Sequence, residues 1–205
     1  MTSPETRIQQ LLVIDPQVQN WQSLVTGLGD NTAVLVLDAS AAGLTQISAY
    51  VQSLSTPLQG IHLLSHGGPG SLSLGSTVLN SQNIQAYSPQ LATIGGMLSD
   101  TGDILLYGCD VAQGDLGTQF IDRLAQLSGA DVSASSNVTG STALGGDWQL
   151  EQHIGPIEST SIFNAAEMQN YAGVLQTTLT VAQIRSLLDA FVSQANHLPG
   201  HAVIS

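Results

Sequence analysis

A chain of 205 residues with net charge −12 and a single cysteine is long enough for one hydrophobic core, excludes an internal disulfide framework or a cysteine-rich zinc site, and repels nucleic acid. Its basic residues are Arg7, Arg123 and Arg185 alone, so a cationic substrate or segment would be drawn to its surface. No apolar stretch reaches the ~18 residues of a membrane helix, and the polar start from Met1 to Arg7 predicts no export leader in this chain, which could still be a domain of a longer exported protein.

Leu11 to Ile14 is a short apolar run ended by Asp15-Pro16 and predicts the first strand. Val18, Trp21, Leu24, Val25 and Leu28 have helical spacing, with Gly27 and Gly29 as the stop. Ala33 to Leu37 predicts a second, buried strand. Leu44, Ile47, Val51 and Leu54 predict a helix closed by Pro57 and Gly60, and Ile61 to Leu64 a third strand. Alternation from Ser71 to Gly75 predicts a hairpin with the stretch around Thr77 to Leu79. Tyr87 to Leu98 reads as helix, Ile104 to Tyr107 as the fourth strand, Leu116 to Leu127 as a strong helix, and Ala130 to Ala134 as the fifth strand.

Gly145 to Leu150 reads as a turn and an edge strand, Ile157 to Tyr171 has no clear assignment, and Thr180 opens a last helix through Phe191. Strands separated by helices predict an α/β fold, with a mainly parallel sheet flanked by helices on both faces. The expected organisation is an α/β domain over 1–175 and a C-terminal helical extension or linker over 176–205.

His66 follows the third strand in Ser65-His-Gly-Gly-Pro-Gly70, and Cys109 follows the fourth in Tyr107-Gly-Cys-Asp110. Catalytic groups of open parallel sheets gather beyond the carboxyl ends of strands, so a base and a thiol would meet there. A thiol needs such a base, or a positive field, to become a nucleophile at neutral pH. Gly67 and Gly68 leave room for a substrate backbone, and Gly108 with the amide of Cys109, and that of Gly67 in addition, are candidate oxyanion donors. On the bland reading, Cys109 is a small buried hydrophobe and His66 an ordinary loop residue. His62, inside the strand, reads as a packing residue; His153, His197 and His201 are assigned no role. His66 with Asp15, Asp38 and Asp110 has no spacing specific for a metal, so no metal site is assigned.

The His66 and Cys109 segments resemble the paired His-Gly and Cys motifs of the caspase-like cysteine peptidases, the superfamily of caspases, gingipains, legumain, separase and clostripain. Leu11 to about Leu175 is similar to a domain of unknown function called DUF4347, found toward the N-termini of very large, repeat-rich bacterial surface or secreted proteins. The matching features are Leu11 to Asp15, Ser65-His-Gly67, Leu106 to Asp110, Gly145-Gly-Asp-Trp148 and Tyr171-Ala-Gly-Val-Leu175.

The resemblance implies a caspase-like three-layer sandwich, His66 as catalytic base, Cys109 as nucleophile and a pocket for one chosen side chain. Asp15, then Asp147 and Asp131, are the candidates for that pocket; an acidic pocket would select Arg or Lys, and the plain alternative for each is a turn or capping residue. With so few basic residues, Arg7 and Arg185 are candidate self-cleavage points.

The expected function is a cysteine endopeptidase with a Cys-His dyad, cleaving a polypeptide after a basic residue, its own parent chain included, outside the cell or at its surface as part of a larger protein. No cofactor is required; the acidic loops leave calcium activation open, without an ordered calcium loop. The alternative is a non-catalytic extracellular binding or adhesion-associated module of the same fold.

Overall fold

A computed structural model describes residues 7–176. Six strands form the main sheet: β1 (Gln10–Ile14), β2 (Thr32–Val36), β3 (Leu58–Leu64), β7 (Leu98–Tyr107), β8 (Asp131–Ala134) and β9 (Gln152–Ile154). Their order is β2-β1-β3-β7-β8-β9, parallel throughout except for the antiparallel edge strand β9. A small antiparallel sheet of β4 (Gly67–Gly68), β5 (Ser71–Leu74) and β6 (Thr77–Asn80) sits beyond the end of β3.

The central strands are apolar on both faces because both faces are covered. Leu11 and Val13 of β1, Ile61 and Leu63 of β3, and Ile104 and Leu106 of β7 join one core cluster. The alternate residues Leu12, Ile14, Leu64, Leu105 and Tyr107 join another. Helices α1 (Gly43–Gln52), α2 (Ser88–Gly95) and α3 (Gly114–Ser128) all bury their apolar faces in the first cluster.

The second face is built differently from the expected helical layer. It is covered by a 3-10 turn at Trp21–Leu24, the six-residue helix α4 (Ala165–Asn170) and extended segments carrying Trp148, Phe163, Tyr171 and Leu175. The three longer helices therefore share one side of the sheet. The spacing from Val18 to Leu28 marked burial correctly but not helix: all five apolar residues pack on the second cluster, while only Trp21–Leu24 is helical.

Strand β2 lies at the sheet edge, with Val34 and Val36 each 40% exposed, so its apolar run is half-covered rather than buried. The predicted edge strand near Gly145 to Leu150 lies instead at β9, and the unassigned stretch contains α4. The helix expected after Thr180 lies outside the described residues. No helix among the described residues is long and apolar enough to cross a membrane.

Candidate active site

Strands β3 and β7 are neighbours, with Leu64 opposite Tyr107. The Ser65 amide donates to the Tyr107 carbonyl at 3.1 Å, which carries the pairing beyond the strand ends. His66 and Cys109 are each two residues past those ends, so the sheet brings the two segments side by side. The contact is close: a Cβ built on Gly67 would lie 2.7 Å from the Cys109 carbonyl oxygen and 2.5 Å from Val111 Cγ2, so only glycine fits at this position. Directly after Cys109 the chain turns sharply through Asp110, at φ 60°, a left-handed conformation that aspartate tolerates better than most residues.

The amides of Gly67 and Cys109 converge on one oxygen. Both donate to the Leu175 carbonyl, each at 2.9 Å, within the roughly 2.7–3.1 Å expected of an oxyanion site. The segment bearing that carbonyl is held in extended form. Ser141 N–H donates to the Gly173 carbonyl at 2.8 Å and Leu175 N–H to the Thr139 carbonyl at 2.9 Å. Val174 bridges antiparallel to Gly140, and Gln176 bridges parallel to Gly67. A Cβ on Gly140 would sit 2.5 Å from the Gly173 carbonyl oxygen, so this wall too is open only because it lacks a side chain.

Cys109 is fully buried, in one cluster with Tyr171 and Leu175. Its Sγ donates to the Thr139 carbonyl at 3.5 Å and accepts from the Thr139 amide at 3.2 Å. Burial pushes the thiol up to about 11, with the Asp110 charge acting in the same direction, against backbone hydrogen bonds from Thr139 and Leu175. In this state the thiol is protonated at neutral pH.

His66 is half-buried, and its Nε2 lies 3.2 Å from the Gln17 carbonyl oxygen. A carbonyl only accepts, so Nε2 carries the proton and Nδ1 keeps its lone pair. Nδ1 is buried and has no hydrogen-bond partner among the described residues. The segments that carry thiol and imidazole are thus neighbours, while His66 bonds to Gln17 and the sulfur to Thr139.

The three candidate pocket aspartates occupy different places. Asp15 is buried, and its two oxygens accept from the amides of Gln17 at 2.9 Å and Gly75 at 2.8 Å, which ties the end of β1 to the β5–β6 turn. Asp147 accepts from Gln149 N at 2.8 Å and Asn137 Nδ2 at 3.1 Å. Asp131 pairs with Asp103 at the beginning of β8, the sheet end away from Cys109. Asp103, Asp131 and Glu158 each place a carboxylate oxygen within 4.8 Å of the others there, the one grouping among the described residues able to hold a cation; the set His66, Asp15, Asp38 and Asp110 does not form one.

Arg7 is exposed before the start of β1, also away from the cleft; Arg185 lies outside the described residues. His62 is buried, stacked on Tyr107 with ring centroids 5.9 Å apart and Nε2 3.1 Å from Gln10 Oε1, and burial lowers its pKa to about 3. His153 pairs with Ser133 Oγ at 2.9 Å. Reasoning from the residues alone missed Thr139, Ser141 and Leu175 as cleft residues. The one signal, for Leu175, was Tyr171-Ala-Gly-Val-Leu175 as a family feature.

The family model for DUF4347, a domain of unknown function, matches residues 11–175, and the chain belongs to that family. No curated protein matches it.

Proposed function

We propose that this member of the DUF4347 family is a cysteine endopeptidase with Cys109 as nucleophile and His66 as base. The observation that carries the reading is the double donation from Gly67 N and Cys109 N to a single peptide carbonyl oxygen, 2.9 Å from each. Two rigid amides aimed at one oxygen stabilise the charge that develops there when a carbonyl is attacked. The parallel strand order, with His66 after one central strand and Cys109 after the next, supports a caspase-like relationship.

In the reaction, His66 Nδ1 takes the thiol proton, and Sγ attacks the carbonyl held by the two amides. The proton passes to the leaving amine, and water releases the acyl group from sulfur. His66 keeps the required tautomer through its Nε2 contact with Gln17. The polypeptide substrate, on the family resemblance, is the secreted or surface protein that carries the domain.

The second reading, a non-catalytic binding module, is favoured by one observation: Cys109 is fully buried. A panel of peptidyl acyloxymethyl ketones, with leucine or arginine at the position next to the warhead, separates the two. Covalent labelling of the wild-type chain that disappears in both Cys109→Ala and His66→Ala supports the peptidase. Absence of labelling across the panel, in a chain whose sulfur alkylates freely once unfolded, supports the module.

A further inference from the structure

We infer that the bond between Leu175 and Gln176 is itself the substrate of this site, so that the chain cuts its own backbone after Leu175. The inference rests on the peptidase reading above and adds to it the scissile bond and the class of side chain accepted.

Three features single out this bond. The Leu175 carbonyl is the one that takes both converging amides. On its amino side the chain is docked as an extended strand, through Ser141 N to the Gly173 carbonyl and Leu175 N to the Thr139 carbonyl, at 2.8 and 2.9 Å. On the carboxyl side the Gln176 backbone bridges Gly67 but the residue is exposed, so the departing amine is within reach of solvent. An acyl-transfer enzyme needs the same elements: a carbonyl in the oxyanion site, an anchored acyl side and a leaving amine within reach of water.

The side chain at the cut position is wholly buried leucine, set in an apolar cluster with Leu12, Ile14 and Tyr171. Both oxygens of Asp15 already accept backbone amides, and Asp131 is at the other end of the sheet. A guanidinium or ammonium placed where Leu175 lies would be buried among hydrocarbon, whereas an aliphatic side chain is accommodated there. The chain therefore offers an aliphatic residue, rather than Arg7 or Arg185, to its own cleft. Arg7 precedes β1, at the sheet end away from the cleft.

The chemistry balances with one water. Cys109 loses its proton to His66, and Sγ bonds to the Leu175 carbonyl carbon. The carbon–nitrogen bond to Gln176 breaks, with the proton delivered to that nitrogen. Water then adds to the thioester, leaving a Leu175 carboxyl group and the free thiol. Attack requires the sulfur to leave its Thr139 contacts while the Leu175 carbonyl stays on the two amides, which makes the reaction slow.

The test is a time course of intact mass on the full chain at neutral pH, for wild type, Cys109→Ala, His66→Ala, Leu175→Met and Leu175→Asp. The expected result is conversion of wild type and Leu175→Met into fragments 1–175 and 176–205, together one water heavier than the parent. Cys109→Ala stays whole, and His66→Ala and Leu175→Asp are slowed at least a hundredfold. Because Leu175→Asp disturbs a buried position, Leu175→Met and Cys109→Ala carry the test if it fails to fold. A wild-type chain that stays whole while the acyloxymethyl ketones label Cys109 in a His66-dependent way overturns the self-substrate inference and leaves the peptidase reading standing. A cut after an arginine, or a cut after Leu175 that persists in Cys109→Ala, also overturns it. A whole chain with no labelling overturns both.

Discussion

Replacing Leu175 by alanine should unseal Cys109 without dismantling the sheet. Leu175 is fully buried and belongs to the extended cover over the thiol rather than to a sheet strand. Leu→Ala in a packed site costs about 2–5 kcal/mol, and the hydrogen bonds from Gly67 and Cys109 to its carbonyl do not depend on the side chain. If the lower bound of about 2 kcal/mol falls on the docking of this segment, the open fraction rises roughly 30-fold, at about 1.4 kcal/mol per factor of ten.

Cys109 is the only thiol, so its iodoacetamide labelling rate under native conditions reads the open fraction directly. The pH dependence adds a second signature. Burial raises the thiol to about 11 in the closed state, so wild-type labelling should keep climbing toward that pH, whereas labelling of the opened variant should level off nearer an ordinary thiol value. Ile47→Ala in α1 is the control, since Ile47 is equally buried but on the other face. It should lower global stability without accelerating labelling. The reasoning is refuted if Leu175→Ala is labelled no faster than wild type, or if Ile47→Ala accelerates labelling as much, because the sulfur would then be reached only by global unfolding.

Two further outcomes are expected. His62 has a native pKa of about 3 against an ordinary 6.5; protonation therefore favours the unfolded chain, and its contribution is intact above about pH 6.5 and lost progressively down to about pH 3, up to roughly 5 kcal/mol. Urea melts across that range should show a shallower acid loss for His62→Gln than for wild type, and parallel curves would contradict the burial argument. Gly67→Ala should destabilise by about 1–3 kcal/mol, because its Cβ would meet Val111 Cγ2 at 2.5 Å and the Cys109 carbonyl at 2.7 Å; an unchanged urea midpoint would show that the two strand ends are not in contact.

Much of the frame was legible because it follows from short-range pattern. Apolar runs bounded by Asp, Gly or Pro marked β1, β3 and the end of β7, and the 3.6-residue period marked α1 and α3. Placing His66 and Cys109 at the carboxyl ends of parallel strands put their segments side by side, and β3 and β7 are neighbours.

What escaped the sequence depends on contacts between distant residues. Val18 to Leu28 has helical spacing, yet the Gln17 and Gln19 carbonyls are taken up by His66 and by the Tyr171 hydroxyl, the latter at 3.1 Å, and the segment closes only a 3-10 turn. The docking of 173–176 against Thr139 to Ser141 and Gly67 is set by backbone groups that every residue type carries, so no periodicity announces it. Asp15 read as a pocket acid because it ends a strand beside the site. Its carboxylate ties two backbone amides together, a use that a sequence position alone does not reveal.

The most direct measurement is turnover of a fluorogenic peptide ending in Tyr-Ala-Gly-Val-Leu ahead of the reporter, by the Leu175→Ala chain in which the resident segment is weakened. The peptidase account predicts hydrolysis that vanishes with Cys109→Ala and falls about 10²–10⁴-fold with His66→Ala, the usual contribution of a positioned base. A chain whose thiol alkylates readily yet turns over no peptide, or turns it over equally well without His66, contradicts it.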